Sequence, residues 1–345
     1  MSLVKKNEWW EETRNFKKTV KEEYLDINET LAELENNSSV IRLELNTIEL
    51  PLFSKDPKRI KNQIKIYHFK TDKSSYLEIE APANYSIPGE FEERVFIALT
   101  KIMKNNNYSR SFVVSANEIL ETLGLSNKAY YKRIREALTL LSKTNYTFLN
   151  SLYSNKESGI IEKKIMSNIM NITIISKKDS RAKEIEAFED GRIKEVYEIN
   201  FTDYFYENII RKGYLAFDSG KLLAIENSVS RAIYTIVEKW RGYDLYIKRQ
   251  AFFIARRIPL KWDKTQIKRT IDTMEKALIE LRNLNLIKDY KIIKEKKWEL
   301  AEIEITYEES HNKTKRDTFF TEKNEFTSME MLVTSTEEKI KCISE

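Results

Sequence analysis

The stretch SANEILETLGLSNKAYYKRIREALTLLS, residues 115–142, decides the fold. Ser115 with Glu118 three residues on is the start signal of a short helix, and Gly124 stands where that helix should stop. Ser126 then reads as the cap of a second helix over 127–142, so the join is Gly124-Leu125-Ser126, the length and glycine content of a helix-turn-helix turn. On the second helix Tyr131, Ile134, Leu138 and Leu141 recur at spacings of three, four and three, which marks a buried stripe. Advancing 100° per residue gathers Lys128, Lys132, Arg135 and Thr139 on the opposite side, with Arg133 flanking. A cationic stripe on the second helix of such a motif suits entry into a major groove, where Arg forks match guanine edges and Lys neutralises phosphates.

Upstream, Glu90 to Lys104 carries Phe91, Val95, Phe96, Leu99 and Ile102 on one face, a first helix for this unit. Downstream the period drops to two over Tyr146–Tyr153, Ile160–Ile175 and Val196–Phe201, which reads as strand. The same order then recurs. Leu222–Trp240 and Lys248–Arg256 are helical in pattern, Asp263 caps a third helix over 264–284, and strand-like segments 286–293 and 298–307 follow. In that third helix Ile267, Ile271, Met274, Leu278 and Leu281 form the buried stripe, leaving Thr265, Arg269 and Lys276 facing away and Lys268 at the edge. Residues 248–269 hold eight basic groups, Lys248, Arg249, Arg256, Arg257, Lys261, Lys264, Lys268 and Arg269, against the single acid Asp263. Lys294, Lys296 and Lys297 sit in the turn where a wing would touch the minor groove or the backbone.

The expected fold class is α+β, mainly helical, with two tandem winged-helix units and an N-terminal amphipathic helix. The expected divisions are 1–39 for that helix, which runs over 8–35, then 40–89 as short strands leading into the first unit. The first winged-helix unit follows at 90–217 and the second at 218–307, with a disordered polar tail at 308–345. The 345 residues carry a net charge of +5, from 59 Lys and Arg against 54 Asp and Glu. Each end, 1–39 and 308–345, holds 6 basic and 9 acidic side chains, which leaves 47 against 36 between them. A basic body between acidic ends fits a polyanionic partner.

Several chemistries are poorly supplied. Cys342, the one cysteine, allows no intrachain disulfide or thiolate metal site, and His68 and His311 make no pair at metal-ligand spacing. Gly213 and Gly220-Lys221 fail as a phosphate loop, because Leu222 follows the lysine where Ser or Thr would bind magnesium. The reading is therefore a non-enzymatic protein without cofactor or metal. No apolar run is long enough to span a bilayer and the start lacks a signal peptide, so the expected location is cytoplasmic.

Four segments resemble a known family. They are Asn46-Thr47-Ile48-Glu49-Leu50-Pro51-Leu52-Phe53, the run from Ile87-Pro88-Gly89 to Leu99, the run from Tyr130 to Leu138, and Ser230-Arg231-Ala232-Ile233-Tyr234. Together they are similar to the plasmid replication initiator protein A family over roughly 46–307, although the last segment has one arginine fewer than the family's pattern. The resemblance implies an origin-binding initiator that binds repeats of double-stranded DNA, helps open the duplex and recruits host replication proteins. It also implies homodimers formed through the first unit that repress their own promoter. Two rivals stay open: a winged-helix transcription repressor with no role in initiation, and a metal-dependent nickase using one of the 18 tyrosines.

Overall fold

The computed structural model of the chain describes residues 39–185, 188, 191–294, 296–312, 333 and 335–341. The amphipathic helix expected over 8–35 and Cys342 lie outside the described residues. The described chain opens with β1 (Val40–Glu44), the single-turn α1 (Leu45–Glu49), β2 (Gln63–His68) and β3 (Tyr76–Glu80). The first unit proper runs α2 (Glu90–Asn105), β4 (Ser111–Val114), α3 (Ala116–Thr122) and α4 (Tyr130–Lys143). Four short strands follow, β5 (Asn145–Leu149), β6 (Tyr153–Ser154), β7 (Gly159–Ile160) and β8 (Lys164–Ser167), and then the hairpin strands β9 (Met170–Ser176) and β10 (Glu195–Phe201). A connector of α5 (Asp203–Ile210), β11 (Tyr214–Asp218) and α6 (Ser219–Ala224) leads to the second unit. That unit is α7 (Ser228–Arg241), β12 (Tyr246–Gln250), α8 (Ala251–Arg257), α9 (Ile267–Asn283), β13 (Asp289–Ile293) and β14 (Glu302–Thr306). A last strand, β15 (Ser335–Ile340), stands apart from it in sequence.

Both units therefore run helix, strand, helix, helix, strand, strand. Their three-stranded sheets share one order as well: β4-β10-β9 in the first, β12-β14-β13 in the second, each with the last strand in the middle and antiparallel to both neighbours. A repeat legible in sequence only as three helices and a hairpin is thus a repeat of topology. In the first unit β5–β8 are inserted between the third helix and the hairpin, and β5 and β8 join β2 and β3 in a separate sheet of order β15-β2-β3-β5-β8.

Burial follows the helical stripes. Ile134, Ala137, Leu138 and Leu141 of α4 and Ile267, Ile271, Met274, Leu278 and Leu281 of α9 are all buried. One apolar cluster runs continuously from Phe96 and Leu99 of α2 through Leu222 and Ile225 to Ile233 and Ile236 of α7, so the units share a core. Removing apolar surface from water stabilises by about 25 cal/mol per Å2, so that shared burial favours their association.

The structure corrects the expected fold in several places. The chain is mixed α/β rather than mainly helical. The helix expected over 222–240 is two, because Asn227 caps α7 with its Oδ1 on the Val229 N–H, and Glu280 Oε1 accepts the Glu226 N–H at 2.8 Å. Residues 246–250 are the strand β12, so the short helix starts at Ala251 and not at Lys248. The helix expected from 127 begins at Tyr130; Asn127 Oδ1 instead caps the turn at the Ala129 N–H. The helix expected from 264 begins at Ile267, and the strand expected from 298 begins at Glu302. The tail beyond 308, expected to be disordered, contains a helical turn at 309–312 and the strand β15. β15 pairs antiparallel with β2, Glu338 meeting Lys65 at 2.9 Å and Glu337 meeting the buried His68 at 3.1 Å. Among the described residues no helix is long and apolar enough to cross a membrane.

Candidate nucleic-acid interface

The helix-turn-helix of the first unit is set by local chemistry. Ser115 Oγ accepts the Glu118 N–H at 3.2 Å and starts α3. Gly124 adopts φ +71°, a left-handed conformation that a side chain disfavours, and turns the chain toward α4. Tyr131 OH donates to Asn117 Oδ1 at 2.8 Å and ties α4 back onto α3. With Ile134, Leu138 and Leu141 turned inward, Lys132, Arg133 and Arg135 are exposed, as is Lys128 in the turn just before the helix. Arg133 lies over the Phe91 ring at 4.0 Å, Arg135 approaches Glu195 of β10 at 3.6 Å, and the half-buried Thr139 donates its hydroxyl to the Arg135 carbonyl at 2.8 Å. Stacking and an exposed pair of this kind hold long side chains in place without neutralising the face.

In the second unit Asp263 Oδ1 accepts the Thr265 N–H at 3.0 Å and also its hydroxyl, which shapes the turn into α9. Those bonds hold the exposed Asp263 carboxyl below its ordinary range. Thr265 is consequently a turn residue and not a position on the helix face. Lys261, Lys264, Lys268, Arg269 and Lys276 are exposed, the first four gathered at the start of α9. Arg256 is half-buried, its guanidinium 5.2 Å from the Phe252 ring centre. Lys248 and Arg249 are exposed but lie on β12, not on a helix, and Lys248 pairs with Glu302 at 2.7 Å and Glu304 at 3.6 Å on β14. The hydrogen bond to Glu302 raises the Lys248 ammonium above its ordinary value. Lys294, Lys296 and Lys297 are exposed between β13 and β14, with Lys294 4.7 Å from the Trp298 ring centre.

One expected surface residue is misplaced. Arg257 is buried, in contact with the carboxylate of Glu49, a partner 208 positions away that no local pattern could announce. It is removed from the interface.

The structure also brings forward cations that sequence reading passed over. Lys177, Lys178, Arg181, Lys183, Arg192 and Lys194 are exposed in the connection between β9 and β10, the counterpart in the first unit of the Lys294–Lys297 turn. Arg181 forks onto Glu198 with both bonds at 3.1 Å. The strand readings over 160–175 and 196–201 flank this connection, but its five acids among six cations left it without a charge signal of its own. Each unit thus presents an exposed cationic helix and a hairpin connection bearing lysines; in the second unit that turn is cationic, whereas 177–194 sets its six cations against five acids.

No curated protein matches the chain by sequence. Among solved structures it is similar to domains 2 and 3 of RctB, with TM-score 0.53 and 13% identity over 76% of this chain and 98% of that one. A fainter likeness, TM-score 0.43 and 14% identity over 72% of this chain and 98% of that one, is to the Pi initiator protein in complex with iteron DNA. Residues 42–247 match the replication initiator protein A family, a span that takes in all of the first unit, the connector and the opening helix of the second. That match covers more than half of the sequence and contains the four segments whose order and spacing suggested it, so the chain belongs to the replication initiator protein A family.

Proposed function

We propose that this chain is a sequence-specific double-stranded DNA-binding protein that initiates plasmid replication, binding repeats at an origin through two winged-helix units and recruiting host replication proteins, without catalysis of its own. The observation that carries this reading is the duplication: two units of one topology, each with a cationic helix face turned to solvent. A family of replication initiators supplies the biological setting. In this reading α4 and α9 enter major grooves on one face of the duplex, about one helical turn, 10 to 10.5 bp, apart. Lys128, Lys132, Arg133 and Arg135 serve the first groove and Lys261, Lys264, Lys268 and Arg269 the second, while the hairpin lysines reach flanking backbone. The host proteins recruited would dock on surfaces these helices leave uncovered.

The test is to incubate the purified protein with fragmented plasmid and genomic DNA and to sequence what it retains. Tandem direct repeats beside the gene are expected. Retention of only a lone inverted repeat over a promoter would replace the reading with a repressor. Nicking of supercoiled DNA with added magnesium, accompanied by a covalent tyrosine adduct, would replace it with a nickase.

A further inference from the structure

The two units meet across charges that water barely reaches. Glu93 of α2 stands between two cations, with Lys55 Nζ 2.7 Å from one carboxylate oxygen and Arg231 Nη1 of α7 2.8 Å from the other. Arg231 is 1% exposed, and its remaining donors go to the carbonyls of Ile225 at 2.6 Å and Leu222 at 3.4 Å. Burial alone would raise the Glu93 carboxyl; Lys55 and Arg231 more than offset it and hold the group ionised below its ordinary range. A second cluster lies at the other end of α7. There Glu49 of α1, 1% exposed, contacts both Lys239 of α7 and Arg257 of α8.

The polarity is the same in both clusters. Each carboxylate comes from the first part of the chain and is met by an arginine of the second unit. Buried ion pairs are poor devices for raw stability, since apolar residues of equal volume do as well or better. Their distinctive effect is on geometry, because sliding or rotating one unit against the other would strand a charge away from water. Two such clusters at opposite ends of one helix fix both a translation and a rotation.

We infer that the Glu93–Arg231 and Glu49–Arg257 clusters hold the two recognition helices at one separation and one rotation, making the chain selective for the spacing between the two half-sites it binds. Glu93, Arg231, Glu49 and Arg257 are positioning residues that touch no DNA. The inference rests on the reading of α4 and α9 as the two DNA-contacting helices.

The experiment uses the full chain and a duplex bearing the retained repeat, alongside the same duplex with 5 bp, half a helical turn, inserted at its centre. For the wild type the insertion disables one of two linked contacts and should weaken binding on the order of 100-fold. In Glu93→Gln and in Glu49→Gln the same insertion should cost about threefold or less, with affinity for an isolated half-site unchanged. Because a lone buried arginine can impair folding, a third variant, Lys55→Met/Glu93→Leu/Arg231→Met, replaces the whole first cluster by apolar groups, and thermal melting confirms that each variant folds. A folded variant that keeps the full insertion penalty overturns the inference, since apolar packing would then fix the spacing. A wild type that binds both duplexes equally also overturns it while leaving the DNA-binding reading intact, whereas a wild type that ignores every duplex removes both.

Discussion

Replacing Lys261, Lys264, Lys268 and Arg269 together by alanine tests whether the start of α9 lies against DNA. The structure decides which cations to count. Of the eight basic groups in 248–269, Arg257 is buried on Glu49, Lys248 is committed to Glu302 and Glu304, Arg249 shares its strand, and Arg256 lies against Phe252. The four remaining are exposed side by side where α9 begins. Each phosphate neutralised contributes about 0.9 to the slope of log affinity against log salt, so four contacts should flatten that slope by about 3.6. Raising salt fourfold, for example from about 50 to 200 mM, would then cost the variant about 150-fold less affinity than it costs the wild type. Fluorescence anisotropy on a labelled repeat duplex at five salt concentrations measures it. The alanine variant retains the buried stripe of α9, so its melting temperature should stay near the wild type. A slope change below about 1 would refute the placement, because no more than one of the four would then meet a phosphate.

Leu138→Ala opens the fully buried side of α4 and should cost about 2–5 kcal/mol in a urea unfolding experiment. Gly124→Ala meets no atom within 4 Å but forces a side chain into φ +71°, so it should cost about 1 kcal/mol in the same experiment and leave the salt slope unchanged. Burial raises the Glu44 carboxyl from its ordinary 4.5 to about 7, against hydrogen bonds from Asn208, Asn46 and Thr47 that favour the ionised form. A group whose folded value is raised contributes stability that is complete below pH 4.5 and lost as the pH passes 7, here about 3 kcal/mol. Melting temperature should therefore fall between pH 5 and about 7.5 in the wild type and stay flatter in Glu44→Gln, and equal profiles would contradict this assignment.

The helices α4 and α9 were legible because their evidence is local. Ile134, Leu138 and Leu141, like Ile271, Met274 and Leu278, repeat at the helical period over several turns, and the cations opposite them are exposed as that period requires. The strand β12 was not legible. It is five residues long, only Ile247 faces the core, and its flanking residues run directly into α8, so the pattern merges with the helix that follows. The strand β15 carries almost no apolar signal in Ser335–Ile340; pairing with β2, the Lys65–Glu338 ion pair and the His68–Glu337 contact hold it, more than 260 residues away in sequence. The division between α6 and α7 is likewise enforced from a distance by Glu280, while the apolar stripe continues across it. Arg257 shows the limit of charge patterning most plainly, since a run of basic residues does not say which of them a buried carboxylate will claim.

Hydroxyl-radical footprinting of the full chain on the repeat duplex tests the central claim most directly. Two protected segments on one face, centred about 10 to 10.5 bp apart, are expected, with the second segment lost in the Lys261/Lys264/Lys268/Arg269 alanine variant and the first retained. One undivided patch unaffected by that variant, or no protection in dilute buffer, would contradict the account.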